Sequence, residues 1–524
     1  MTKYLIKRII RAFFSIIIVV AVIMTMIYSF LDKKQIFAQD PVYTKQKGNA
    51  QKVYQMQQWE QFGYLDYVPF ADFLTEEMSA GNLAKEDYKR AANLGKNATA
   101  DNEVTAEYVK KFTEKYESQG YTVERLEGDT KGNTKKYKQG GEPRLYAYKD
   151  VPILTRLGQY FKGIITVDNL NKVEEDIGER KLTFTLRDPV YGGKKFSPAI
   201  MGNGTTYKYL LYCNDKFPFI HQNLIRLNLG KSYSVNKGID VFDTMTQTQG
   251  ALQKSIITYP SGVVEETADD LHTATYAAGS QSKGALNQKY FVDDYTSVYT
   301  VKDGMSKMGY SFVIGIIAVI LSYVLAVPLG ILMALRKDKL LDKLGTFYIV
   351  FITAVPSLAY IFMFKAVGGS LGLPTTFNMD KPTTLMYVLP IVSLALPSIA
   401  NLMKWLRRYM IDQMNADYVK FARSGGMSEG QIFTKHILKN AIIPIVHGIP
   451  SSVLFSLTGA IITERVYVVP GVGNVLTNAI NAYDNGVIVG VALFYAVLTV
   501  ISIILGDVLM SLMDPRISFT AKER

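Results

Sequence analysis

The apolar positions of this chain gather into six runs near 20 residues or longer, roughly 12–31, 310–335, 344–368, 385–403, 442–462 and 487–513. A helix of about 20 apolar residues spans ~30 Å of hydrocarbon, whereas a soluble core helix is shorter and carries a polar stripe. The pattern predicts six transmembrane helices, with one long polar stretch, residues 32–307, between the first and the second. Within it, 51–119 reads as helices interrupted by Gly and Asn. Pieces such as 181–186 alternate apolar and polar as strands do, and the Tyr and Thr content of the second half leans the same way. The stretch is expected to be an α+β insert large enough for its own core. Residues 131–141 and 277–288 read as exposed loops. No internal repeat is evident.

Charge orients the spans. The segments flanking the runs on one side hold 18 Lys and Arg, and the short loops on the other side hold only Lys381 and Arg465. Cytoplasmic loops carry the excess of basic residues, so both termini are expected in the cytoplasm and 32–307 outside the cell. The insert has 37 basic and 35 acidic residues, so most of the net charge of +12 belongs to the membrane portion. The basic balance follows membrane topology and does not point to nucleic acid. The first run follows Lys3, Lys7, Arg8 and Arg11 as a secretory signal would. It is too long for a signal's apolar region and no small-x-small site follows cleanly, so it reads as an uncleaved first span. The expected organisation is 1–31 for the N-terminus and first helix, 32–307 for the extracellular domain, and 308–524 for helices two to six with a cytoplasmic tail.

Catalytic signatures are missing. Gly230-Lys231-Ser232 resembles the end of a phosphate-binding loop, but the required earlier glycine falls at Ile225. The four histidines, His221, His272, His436 and His447, show no metal-ligand spacing. No GxSxG or HExxH occurs. Cys213 is the only cysteine and reads as a small core residue. The sequons at Asn97 and Asn203 are frequent by chance. No metal, no cofactor and no enzymatic activity are expected in this chain, which must draw its energy from elsewhere.

The most organised polar segment is 417–444, within the loop 404–441. Gly425-Gly426 permits a sharp turn. Ser428 and Gln431 make a capping box, and Ile432, Phe433, His436 and Ile437 then share one helical face, with Lys435 and Lys439 off it. Pro444 is expected to set where the next span begins. A short amphipathic helix between two spans can transmit a push from a partner, although such a helix can also lie on lipid headgroups.

These residues resemble the cytoplasmic coupling loop of ABC-importer permeases, the "EAA" loop in its peptide-permease variant. Ala422 and Gly426 stand at the loop's alanine and glycine positions, Lys420 replaces its acidic residue, and its Leu-Pro is late, as Ile443-Pro444. Glu464 with Val469-Pro470-Gly471-Val472-Gly473, Gly506-Asp507 with Asp514-Pro515-Arg516-Ile517, Ala326–Gly330 and Asn228–Ser232 are similar to other segments of the same permeases. The long insert, with Tyr209–Tyr212 and Phe217–Asn223, looks like that of the Ami/Opp-type oligopeptide permeases of Gram-positive bacteria. The resemblance implies an ABC importer type I permease fold and uptake of oligopeptides across the plasma membrane by alternating access. It implies as partners a second homologous permease, two cytoplasmic ATPases that hold ATP and Mg, and a lipid-anchored oligopeptide-binding protein. Besides these, only membrane lipid and the peptide itself are expected as partners.

On that reading the coupling residues are Ala422, Gly426, Ser428, Glu429, Gln431, Ile432, Phe433 and His436. A peptide path needs groups that bond a polar backbone inside a bilayer, where polar side chains are otherwise costly. Candidates are Ser357, Tyr360, Ser393, Ser398, Asn401, His447, Ser451, Ser452 and Ser456; the structural alternative is hydrogen-bonded glue between helices. Lys365 is expected to snorkel to the interface, and Asp507 to form a structural pair near the inner face. The insert is the expected docking surface for the binding protein, or a cap on the pore. A permease for another small solute, such as nickel, glutathione or a dipeptide, shares the loop. The reading from a different class is a membrane-anchored extracellular sensor or adhesion protein, which has no use for six spans or a coupling loop.

Overall fold

The computed structural model describes residues 2–128, 141–167, 305–378 and 383–513, together with shorter stretches between 182 and 298. The expected loop 131–141 except its last residue, the expected loop 277–288, the sequon Asn203, His272, Phe217-Pro218-Phe219, Lys381 and the 514–517 motif lie outside the described residues, as do the side chains of Cys213 and His221.

Among the described residues four helices are long and apolar enough to cross a membrane: Ile6–Phe30, Lys307–Leu335, Thr384–Met414 and Asn485–Met513. Two bent pairs pass the same test only together, Leu340–Ala354 with Ser357–Ser370 at 110° and Glu429–His447 with Ile449–Tyr467 at 43°. Counting each pair as one span gives six among the described residues. The expected single helix over 344–368 is therefore broken. Val355 is extended and Pro356 follows it, as the proline ring disfavours helical backbone at the preceding residue. The fifth run is also reorganised: Pro444 lies inside the Lys439–His447 helix, and the bend comes at Gly448, after which Ile449 and Pro450 start the next helix. Proline fits a helix's first turn because that N–H has no intrahelical partner.

The Lys307–Leu335 and Val388–Met414 helices form the centre of the bundle. Ile314, Ala318, Ala326, Leu394, Ala395 and Ala400 are buried between them and their neighbours. Ile316, Ile320 and Val324 face outward on the first of them, as lipid-exposed positions do. The Thr2–Phe30 helix leans on Asn485–Met513 and, among its described side chains, buries only Val20 and Met24 fully.

The insert mixes helices and strands. Leu65–Pro69, Arg144–Asp150 and Thr122–Leu126 form an antiparallel sheet with Arg144–Asp150 in the middle. The Leu65–Pro69 strand interrupts a region expected to be helical; Pro69 is tolerated because the strand is at the sheet's edge. The Phe70–Ser79 and Glu103–Ser118 helices pack Phe70, Phe73, Leu74, Phe112 and Tyr116 against Leu145 and Ala147 of that sheet. A four-stranded antiparallel sheet runs Leu182–Thr185, Ala199–Gly202, Tyr209–Cys213, Ile220–Gln222.

A polar joint fastens the insert to the bundle. Asp484, fully buried, accepts from the Ser232 hydroxyl (2.7 Å), the Tyr233 N–H (2.9 Å), and the Ser234 N–H (2.9 Å) and hydroxyl (3.1 Å). It also caps the last helix through the Val487 N–H (3.2 Å). A Cβ on Gly486 would collide with the Lys231 carbonyl, so only glycine lets the two backbones approach this closely. The 228–232 segment that mimics a phosphate loop in sequence is this latch.

Candidate functional site: a coupling loop and a polar cavity on one helix

The loop after Met414 opens with a short helix, Asp417–Ser424, and turns at Gly426, whose φ of +81° suits glycine. Ser428 caps the Glu429–Ile432 helix: its Oγ accepts from the Gln431 N–H at 3.4 Å, and Gln431 Oε1 accepts from the Ser428 N–H at 3.2 Å. Glu429 reaches back to Arg423, with its carboxylate accepting from Nε and Nη2 of the guanidinium at 2.6 and 3.0 Å. That pair lies across the glycine turn and was not anticipated.

The helix does not continue with the expected 3.6-residue repeat. Phe433–Leu438 is a π-turn, in which hydrogen bonds run five residues back. Ile432 and Ile437, five apart, are therefore the buried pair, at 0% and 5% exposure, while Phe433 and His436 are only half-buried. The pair enters one apolar cluster with Val419 and Ala441 from the loop, Ile445 from the start of the fifth run, Leu406 and Met410 from the Val388–Met414 helix, and Ala334 from Lys307–Leu335. Ala422 packs at its edge, whereas Gly426, Ser428, Glu429 and Gln431 are exposed. Phe421, next to Ala422, is 80% exposed.

Further along the Val388–Met414 helix lies a cavity of about 400 Å³. Seven of the nine polar candidates line it: Ser357, Tyr360, Ser393, Ser398, Asn401, Ser452 and Ser456. Ser393 bonds the Tyr467 hydroxyl at 2.9 Å, and Ser452 the Tyr323 hydroxyl at 3.2 Å. Thr463 also lines it and was missed. His447 and Ser451 do not line it. His447 Nδ1 lies 2.9 Å from the Gly506 carbonyl, and Ser451 meets Ser502 at 3.4 Å, so both face the last helix.

The other polar groups within the spans are tied into the fold. Lys365 donates to the Val466 carbonyl at 2.6 Å, at the end of the Ile449–Tyr467 helix. Asp507 pairs with Arg8 of the first helix. Glu464, fully buried, accepts from the Ser311 hydroxyl at 2.6 Å and the Asn474 N–H at 3.1 Å, which anchors the Val469–Gly473 turn. No cluster of metal-binding side chains occurs among the described residues.

A bundle of membrane-length helices, with a polar cavity between Ser357–Ser370, Val388–Met414 and Ile449–Tyr467 and an amphipathic loop packed on the central helices, fits a transport permease. Residues 326–519 match the family described as "binding-protein-dependent transport system inner membrane component". Over 532 aligned residues the chain is 34% identical to the oligopeptide transport system permease protein AmiC of Streptococcus pneumoniae, covering 100% of this chain and 99% of that one. It is 29% identical to the dipeptide transport system permease protein DppB of Bacillus subtilis over 213 residues, which cover 40% of this chain and 68% of that one. The oligopeptide transport system permease protein AppB of the same organism is 28% identical over 226 residues, 41% of this chain and 71% of its own. The chain belongs to the peptide-permease family of ABC importers. It is a multi-pass helical membrane protein with an added N-terminal region, and in its family ATP hydrolysis resides in separate subunits.

Proposed function

We propose that the chain forms half of an oligopeptide pore that works by alternating access, with both termini and the 404–441 loop in the cytoplasm and the insert outside. The excess of Lys and Arg at the loop end supports that orientation. A second homologous permease forms the other half. Two ATPases, which hold ATP and Mg, seat on the loop, and a lipid-anchored peptide-binding protein delivers cargo to the insert; no cofactor sits in this chain.

One observation carries the reading: a single helix, Val388–Met414, holds Leu406 and Met410 in the loop's apolar cluster and Ser393, Ser398 and Asn401 on the cavity. Met410 and Asn401 are about 14 Å apart along the axis at 1.5 Å per residue. A push on Ile432 and Ile437 is therefore passed along this helix to Asn401 and Ser398, which lie on the loop's side of Pro397. The serines and Asn401 supply hydrogen-bond partners for a peptide backbone that has left water.

The Asn401→Leu variant tests the cavity. Removing one hydrogen-bond partner from a buried polar ligand costs about 1–3 kcal/mol, so the KM for peptide uptake should rise roughly tenfold with thermal stability in detergent unchanged. A loss of stability with KM unchanged would identify Asn401 as glue between helices and overturn the assignment.

A further inference from the structure

We propose that the cleft between the first and last helices is a binding site for one anionic phospholipid. The Thr2–Phe30 and Asn485–Met513 helices meet near Val20 and Met24, which are buried with Val489, Val491 and Leu493. Toward the other end they part around a cleft of about 550 Å³, a size in the range of small-molecule sites, ~300–1,000 Å³. Small side chains on both walls, Ala12 and Ser15 against Ala496 and Thr499, leave this room, and Ile16, Val19, Val500 and Ile503 give it an apolar lining. Small residues commonly let membrane helices close together; here they leave a space suited to an acyl chain.

The mouth of the cleft decides which lipid enters. Lys7, Arg8 and Arg11 all line it. Arg8 is engaged by Asp507 across the two helices. Lys7 and Arg11, one turn apart and exposed, have no carboxylate partner among the described residues. Two cations at the headgroup end of an apolar slot complement a lipid with one acyl chain in the cleft and a phosphate of net negative charge at its rim. A zwitterionic lipid fits the slot but not the charge. A basic residue near a lipid surface contributes about fivefold in affinity for anionic headgroups.

The test is native mass spectrometry of the full-length chain in neutral detergent, titrated with dioleoylphosphatidylglycerol or dioleoylphosphatidylcholine; it does not depend on orientation in the membrane. Wild type should retain one phosphatidylglycerol in preference to phosphatidylcholine. The double variant Lys7→Gln/Arg11→Gln should bind phosphatidylglycerol ~25-fold more weakly. Ser15→Leu, which fills the slot, should displace both lipids while leaving the charges in place. Arg336→Gln/Lys339→Gln, exposed charges outside the cleft, should change nothing. Equal retention of the two lipids, an unchanged double variant, or an equal loss in the Arg336/Lys339 control would overturn the site. So would efficient cross-linking of Ser15→Cys to another polypeptide in native membranes, which would make the cleft a protein interface.

Discussion

The two ends of the bundle are joined to their neighbouring segments by opposite chemistry. At the insert end the joint is polar and directional: one buried carboxylate, Asp484, gathers the Ser232, Tyr233 and Ser234 donors at 2.7–3.1 Å. At the loop end the joint is apolar, with Ile432, Ile437 and Val419 set among Leu406, Met410 and Ala334. A hydrogen-bonded carboxylate tolerates little displacement, because a donor left unpaired in the interior costs 1–3 kcal/mol. An aliphatic cluster keeps most of its contacts when its members slide, since dispersion is non-directional. The joint at the insert is thus built to stay in place, whereas the joint at the loop can slide.

Breaking the polar joint should have the largest effect. Asp484→Ala leaves several buried donors without an acceptor and should lower stability on the order of 4 kcal/mol. Hydrogen exchange should show the loss as deprotection of 228–246, and Asp484→Asn, which keeps one acceptor oxygen, should show less of it. Protection of 228–246 unchanged in the alanine variant would mean that Asp484 does not hold the insert.

The apolar joint should break more gently and with a different readout. Ile432→Ala removes a fully buried side chain and should cost about 3 kcal/mol, within the 2–5 kcal/mol seen for such truncations. Exchange should rise across 417–447 while 228–246 stays protected, and peptide-stimulated ATP hydrolysis in the assembled transporter should fall. If the loop is instead a passive connector, local exchange rises and stimulation remains at the wild-type level.

The difference between the joints also explains what could be read from the sequence. Seven cavity residues were legible because Ser, Asn and Tyr inside a 20-residue apolar run carry a cost that demands a partner. His447 and Ser451 bear the same signature and point elsewhere, because rotation about a helix axis is set by which neighbour packs where. Ile432 and Ile437 were correctly placed on one face, but the π-turn that stacks them was not legible: a shift from four to five residues per hydrogen bond is imposed by packing and leaves no mark in composition. Asp484 was missed altogether. A lone Asp between two apolar runs reads as a turn, and its partners are about 250 residues away in a segment that imitates a phosphate loop. The breaks at Pro356 and Gly448 were half-visible, since proline marks a discontinuity without giving its angle.

The smallest expected effect lies beside the polar joint and gives it a pH dependence that the apolar joint lacks. Asp240 accepts from the Phe242 N–H at 2.7 Å and the Leu229 N–H at 3.4 Å, at the start of the Val241–Thr246 helix. Burial, working against those two N–H groups, pushes its carboxyl up from 3.8 to about 6. A carboxyl raised in the folded state favours folding in its protonated form. Its contribution is full below pH 3.8, falls as pH rises through the window to about 6, and is gone above it. The full change is on the order of 3 kcal/mol, of which about 2 kcal/mol falls between pH 4 and pH 6. Comparing wild type with Asp240→Asn isolates this term from the chain's many other carboxylates. The variant's stability relative to wild type should climb from pH 4 to pH 6 and then level off, read as thermal unfolding in detergent with exchange of 228–246 alongside. A constant offset between the two proteins across that window would show that Asp240 is already ionised at pH 4 and that burial does not govern it.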